Sequence, residues 1–250
     1  MSDNRVPALP DIRKISLEDI LRDGKRIMWS VVQYKELEMI YSCALREIKT
    51  KFEVLNSEFD LKYKRNPISS IQTRLKGMES VIRKLMKYRL PFSISSIENG
   101  INDFAGVRVI CSYIDDIYRI ADAFLSQDDV TLIEKKDYIS HPKENGYRSL
   151  HLIVSLPVFF SSEKKEVRAE VQIRTVAMDF WASLEHQMKY KRDGDGTESI
   201  VEELKACADV IASTDERMLR IRESLDAKED APSDDEELLF RLKKLGSSHG

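Results

Sequence analysis

Between about residues 104 and 176 the apolar residues stop recurring every three or four positions and begin to alternate, and a chain that does this repeatedly must build a sheet. Four short runs rich in β-branched residues carry the signal: 106–113, 130–139, 147–158 and 167–176. One helical segment, 114–127, interrupts them. The link across 159–166 is short and polar at its centre, which suits an antiparallel hairpin rather than a crossover. The expected fold is therefore α/β in the α+β sense, with a mixed, mostly antiparallel sheet.

Helical spacing bounds this sheet on both sides. Ser16 followed by Asp19 reads as a helix start, and Leu37, Ile40, Tyr41, Ala44, Leu45, Ile48, Phe52 and Leu55 then recur at helical intervals. Pro67, with no further proline until Pro91, predicts a helix over 67–89 with proline in its first turn. On that helix Ile71, Leu75, Met78, Ile82 and Leu85 share an apolar face, while Lys76, Ser80, Arg83, Lys84 and Lys87 share a basic one. Residues 178–191 read as helix, and Val201, Leu204, Ala208, Ile211, Met218, Ile221 and Leu225 mark a long amphipathic helix after them. The acidic stretch 228–237 has a linker's composition, and 246–250 reads as disordered. Three units follow: an N-terminal helical region over 1–66, a core over 67–195, and a C-terminal helix with a charged tail over 196–250.

Composition narrows the function by exclusion. With 42% apolar and 33% charged residues, 250 residues can bury a real core. A net charge of −3 gives no global field that marks a nucleic-acid binder, so no obligate nucleic acid is expected. Cys43, Cys111 and Cys207 are far apart and form no CxxC pair, which fits reduced thiols better than a disulfide framework. No apolar h-region opens the chain and no apolar stretch approaches a membrane span, so a cytoplasmic protein is expected. Glycine is scarce, at 9 residues, and neither GxxxxGK[ST] nor GxGxxG occurs. Any phosphate must be held by side chains and metal rather than by a backbone cradle.

Within 167–174, apolar Val167, Ala169, Val171 and Ile173 alternate with Arg168, Glu170, Gln172 and Arg174, so the polar four project from one sheet face. An ordinary half-exposed strand does the same. The preceding run strengthens the signal, because it leaves Tyr147, Ser149 and His151 opposite its apolar set. Asp103 precedes another run, where its carboxylate can approach Glu170 if the two strands are neighbours. Two such carboxylates can hold Mg²⁺, which takes oxygen ligands and completes its shell with water and substrate phosphates. Each residue also has a plainer reading: Asp103 as a turn or cap residue, Tyr147 as core, His151 as a hydrogen-bonded sheet histidine, and the lysine stripe as a solvated face.

Three motifs, DFAGVRV from Asp103, HPKENGYRSLH from His141 to His151, and EVQIRT from Glu170, occur in that order. Together with NPISSIQTRLKGMESVIRK and MDFWASLEHQMKYK they resemble the RelA/SpoT synthetase domain over about 37–220, nearest to the short RelP-type small alarmone synthetases. The resemblance implies a five-stranded, nucleotidyltransferase-like sheet flanked by N- and C-terminal helices. It implies transfer of the β,γ-pyrophosphate of ATP to the 3′-hydroxyl of GDP or GTP, with AMP released. Asp103 and Glu170 would then be the catalytic Mg²⁺ carboxylates, Glu170 also orienting or deprotonating the hydroxyl. Arg74 and Arg108 would sandwich adenine, and Lys76, Ser80, Lys84 and Lys87 would meet the ATP phosphates. Tyr147 would stack on guanine, Lys143 and His151 would hold the guanosine phosphates, and Gln172 would help position the acceptor. On a 67–89 helix Arg74 lies nearly opposite the lysine stripe, so its role rests on the resemblance alone.

Longer members of the family carry a hydrolase domain with a His-Asp metal pair, whereas the histidines here precede Pro142, Leu152, Gln187 and Gly250, so a synthetase without hydrolase activity is expected. The resemblance also implies a homotetramer, and the surplus of apolar helix over what one small sheet can cover agrees with assembly, the plainer alternative being that both terminal helices pack on their own sheet. Two rivals stay open on the residues: a silent module that binds guanine nucleotide or single-stranded RNA through Tyr147 and the basic helix, and a nucleotidyltransferase that moves AMP.

Overall fold

The computed structural model describes residues 17–189 and 197–229. A long helix α1 (Leu17–Tyr63) leads into strand β1 (Ile68–Leu75), helices α2 (Met78–Tyr88) and α3 (Ile94–Gly100), and strand β2 (Ala105–Cys111). Helix α4 (Ile114–Leu125), strands β3 (Thr131–Asp137), β4 (Leu150–Phe159) and β5 (Lys164–Thr175), and helices α5 (Val176–Lys189) and α6 (Thr197–Glu229) follow. The five strands lie in the order β1-β2-β5-β4-β3. Only β2 and β5 run parallel; the other three pairings are antiparallel, including the expected β4–β5 hairpin.

The predicted helix over 67–89 is corrected. Its first third is the edge strand β1, paired with β2 from Ile68↔Cys111 to Leu75↔Ala105, and only Met78–Tyr88 is helical. The four-residue step from Ile71 to Leu75 fits one face of a strand as well as one turn of a helix, and a proline is as acceptable before an edge strand as inside a first helical turn. The apolar face assigned to that helix changes too. Val81 and Leu85 are its buried residues, while Met78 and Ile82 are exposed.

The sheet's two faces differ in kind. Val107, Val109, Leu152, Val154, Val171 and Ile173 belong to one buried cluster with Ala44, Ile48 and Phe52 of α1 and Ile117, Ile120 and Phe124 of α4. Phe52 stacks on Phe124 at 4.5 Å, and Phe104, just before β2, meets Tyr41 edge-on at 4.7 Å. The opposite face is polar. Register puts Gln72, Arg108, Gln172 and His151 in one row across four strands, and Arg74, Gly106 and Glu170 in the next. Period-two alternation on β2, β4 and β5 is what separates the greasy and polar faces.

At the far end, Leu204 and Ala208 of α6 pack with Trp181 of α5, whose indole N–H donates to the Leu204 carbonyl at 2.9 Å. Arg65, in the link that follows α1, and Arg222 of α6 each grip one of two adjacent carboxylates on the first turn of α4, Asp116 and Asp115, so that link and α6 are tied to one point. The expected helix start at Ser16, the linker over 228–237 (past Glu229) and the tail over 246–250 lie outside the described residues.

Candidate active site

A cavity of about 300 Å³ opens on the polar face, walled by Gln72, Thr73, Arg74, Asp103, Gly106, Val107, Arg108, Glu170 and Gln172. Five of the residues singled out in the sequence meet here: Arg74, Asp103, Arg108, Glu170 and Gln172. Arg74 needs no distortion to reach them, because it sits on β1 rather than on a helix and shares the polar face with Arg108, diagonally across the β1–β2 pairing.

Asp103 occupies the turn between α3 and β2. Its Oδ2 accepts from Lys76 at 2.9 Å and its Oδ1 from Lys84 at 2.7 Å. Burial disfavours the charged carboxylate, but the two ammonium groups outweigh it and hold Asp103 below the ordinary carboxylate range. Ser80 and Lys87 flank Lys84 on its helix, four residues before it and three after, and so share its side of α2. They do not line the cavity.

Glu170 is held differently. Its Oε1 lies 3.2 Å from His151 Nδ1, and its Oε2 accepts from Gln172 Nε2 at 3.0 Å. Burial again opposes ionisation, and these two neighbours again prevail, so Glu170 also titrates below its usual value. His151 Nε2 is 2.8 Å from the Tyr147 hydroxyl, which accepts from Arg174 at 2.9 Å. Burial raises the Tyr147 phenol above its ordinary value, so the hydroxyl keeps its proton.

Tyr147 and Ser149 lie just before β4 rather than within it, a correction to the strand boundary. Ser149 is buried and its hydroxyl donates to the Ile173 carbonyl. Tyr147 is set by the Asn-Gly turn: its N–H donates to Asn145 Oδ1, and Gly146 has φ +85°. A side chain at Gly146 would be strained by that φ and would also meet Ala208 Cβ at 2.5 Å, so the turn is packed hard on α6. The Lys143 ammonium sits 4.5 Å from the Tyr138 ring centre and 4.7 Å from that of Tyr147, a paired cation–π arrangement. Lys143, Tyr147 and His151 thus form a second cluster, joined to the cavity through the His151–Glu170 contact.

Sequence reasoning assigned no role to Tyr138, which meets His151 edge-on at 5.2 Å, nor to Asp179, whose Oδ1 accepts from Arg174 at 3.3 Å and is ion-paired with Arg108 at 3.2 Å. Arg174 appeared only as one of four polar residues on a strand. Its position at the end of the alternation was the available signal.

The donor set suits a hard divalent cation that brings other ligands with it. Two carboxylates reach the cavity, and among the described residues no group of three or more His, Cys, Asp or Glu side chains forms a closed metal cage. Mg²⁺ is commonly bound by one or two carboxylates plus substrate phosphates.

Known proteins resemble this chain in sequence and in fold. A family model described as a region found in RelA / SpoT proteins matches residues 73–195. The GTP pyrophosphokinase YwaC of Bacillus subtilis (strain 168) is 42% identical over 193 residues, which cover 77% of this chain and 92% of that protein. The GTP pyrophosphokinase YjbM of the same organism is 32% identical over 215 residues, covering 86% and 97%. Among solved structures, small alarmone synthetase 1 from Bacillus subtilis bound to its product pppGpp superposes with a TM-score of 0.70 at 33% identity, over 77% of this chain and 97% of that one. Small alarmone synthetase 2 from Bacillus subtilis gives 0.69 at 41%, over 76% and 98%. The chain belongs to the RelA/SpoT family and, within it, to the small alarmone synthetases.

Proposed function

We propose that this chain, a GTP pyrophosphokinase by family, transfers the β,γ-pyrophosphate of ATP to the 3′-hydroxyl of GDP or GTP, and that it has no hydrolase activity. The observation that carries the reading is the convergence of two ionised carboxylates, Asp103 and Glu170, on one cavity whose other charged walls are arginines.

Adenine lies between Arg74 and Arg108, whose planar guanidinium groups suit stacking on a base. Lys76 and Lys84 exchange the Asp103 carboxylate for ATP phosphate oxygens, and Ser80 and Lys87 extend that grip along α2. Guanine stacks on Tyr147, and Lys143 leaves the tyrosine rings to meet the guanosine phosphates beside His151, with Gln172 touching the acceptor. Asp103, freed from its lysines, and Glu170 would hold Mg²⁺, which would supply screening of the polyphosphate charge. The 3′-oxygen forms its bond to the β-phosphorus as the bond from that phosphorus to the α,β-bridging oxygen breaks, and AMP departs with that oxygen. Glu170 accepts a hydrogen bond from the hydroxyl and takes its proton.

Other properties fit the same reading. Met218, Ile221 and Leu225 of α6 are exposed in the single chain, an apolar stripe that supports assembly as a homotetramer. Light scattering that returns a monomer at micromolar concentration removes this claim. A cytoplasmic setting fits free Cys43, Cys111 and Cys207, and no described helix is long and apolar enough to cross a membrane. The decisive assay incubates the chain with Mg²⁺, ATP and either GDP or GTP and resolves the nucleotides by anion exchange. New guanosine tetra- or pentaphosphate with matching AMP is expected. An adenylated product would support AMP transfer instead, and retained guanine-nucleotide binding without product would support a silent module.

A further inference from the structure

Arg174 is 2% exposed, carries a charge, and has none of the binding roles above. A buried cation is a poor stability device, because its desolvation offsets most of what its pairings return. Here one guanidinium nitrogen, Nε, has no hydrogen-bond partner among the described residues. The other two are in use. Nη2 donates to Tyr147 Oη at 2.9 Å and to Gln172 Oε1 at 2.7 Å, and Nη1 donates to Asp179 Oδ1 at 3.3 Å.

A guanidinium can only donate, and that fixes the sense of its own bonds and of the Gln172 bond that follows them. Gln172 has its carbonyl turned to Arg174, so its amide N–H faces Glu170 Oε2. Tyr147 accepts from Arg174 and keeps its own proton to give, which with a neutral His151 goes to Nε2. A neutral His151 that accepts at Nε2 carries its proton on Nδ1, aimed at Glu170 Oε1. Five side chains thus close a ring with one source of donors, Arg174, and one sink, Glu170. A second link leaves the ring: the Asp179 oxygen that braces Arg174 is also ion-paired with Arg108 Nη1 at 3.2 Å.

We propose that Arg174, braced by Asp179, is a positioning residue for the guanine-nucleotide acceptor: it sets the orientation of Tyr147 and Gln172 and ties them, through the shared Asp179 oxygen, to Arg108 on the ATP side. The proposal rests on the reading above for which nucleotide lies at which end. Lysine cannot substitute, since an ammonium lacks the planar fork that serves Tyr147, Gln172 and Asp179 at once.

The test is a double-mutant cycle on the full chain. Arg174→Lys keeps the charge, and Tyr147→Phe keeps the stacking ring while deleting the hydroxyl. Each raises KM for the guanine nucleotide about three- to tenfold with KM for ATP within about twofold. The double variant costs little more than the larger single change, with a coupling of about threefold or more. A packing role alone does not produce that coupling or that split between the two KM values. Additive effects, or losses in kcat with both KM values unchanged, overturn the proposal. If Arg174→Lys does not fold, as judged by circular dichroism, Tyr147→Phe with Asp179→Asn replaces it. Those two side chains touch different nitrogens of Arg174 and couple only through it, so additivity again overturns the idea. A wild-type chain that neither makes product nor binds guanine nucleotide sinks the functional reading and this proposal with it. A working enzyme with additive variants sinks the proposal alone.

Discussion

Asp103 and Glu170 face one cavity and are both kept ionised against burial, yet the means differ. Asp103 is neutralised by two ammonium groups on flexible stems, one just after β1 and one on α2. Glu170 receives N–H groups from His151 and Gln172, on adjacent strands and locked into a ring that Arg174 closes. A lysine that leaves a carboxylate for a phosphate exchanges one anionic partner for another at small cost. A ring on adjacent strands has no such freedom, so its carboxylate stays aimed whether or not a nucleotide is present. The Asp103 end is therefore built to rearrange around charge, and the Glu170 end to present a fixed acceptor for a proton.

The largest effects are expected from deleting either charge while keeping the shape. Asp103→Asn and Glu170→Gln should each lower turnover by at least about a hundredfold, the range seen when a metal-holding or acid-base group is removed. Steady-state rates with saturating ATP and guanine nucleotide check this, and a wild-type rate in either variant removes that residue from the chemistry. A smaller effect separates the two ends. Lys84→Ala should raise KM for ATP by about tenfold, more at low salt than at high, with the guanine-nucleotide KM little changed. If the guanine-nucleotide KM moves instead, the two ends have been assigned the wrong way round.

The same contrast explains what the sequence could and could not disclose. Alternation in 147–158 and 167–176 depends only on neighbours along the chain, so the polar face carrying His151, Glu170 and Gln172 was legible, whereas Arg108 came from the resemblance. Strand β1 was not, because Ile71 and Leu75 satisfy both periods and its pairing with β2 is tertiary. That one misreading put Arg74 on the wrong side of a helix. Asp103 and Glu170 could be brought together only on the condition that their strands were neighbours, which the parallel β2–β5 pairing meets. The motifs named most of the candidate residues through resemblance. Asp179 carried no local signal and Arg174 only its place in the alternation, since the ring and the shared oxygen exist only once β5, α5 and the turn before β4 have packed.

A third carboxylate shows that the donors, and not burial alone, decide the direction of a titration. Asp215 on α6 is 7% exposed, and among the described residues its one hydrogen-bond donor is the Thr175 hydroxyl, at 2.6 Å. Burial here outweighs that single neutral donor, and Asp215 is raised above its ordinary value of 3.8 while Asp103 and Glu170 are lowered. The signs of their linkage to folding are opposite. Asp103 and Glu170 contribute stability above the ordinary carboxylate values, and this is lost as pH falls through their folded-state values. Asp215 prefers to be protonated in the folded chain, so its contribution is fully present below about pH 3.8 and is lost as pH rises through its folded-state value. Asp215→Asn keeps an acceptor for Thr175 but carries no charge to bury. Near neutral pH it should stabilise the chain on the order of 1 kcal/mol, read as a rise of about 2–4 °C in Tm. Near pH 4 the advantage should shrink towards zero. A gain of the same size at both pH values would mean that the buried charge at Asp215 is not what limits stability, and the contrast among the three carboxylates would then need another cause.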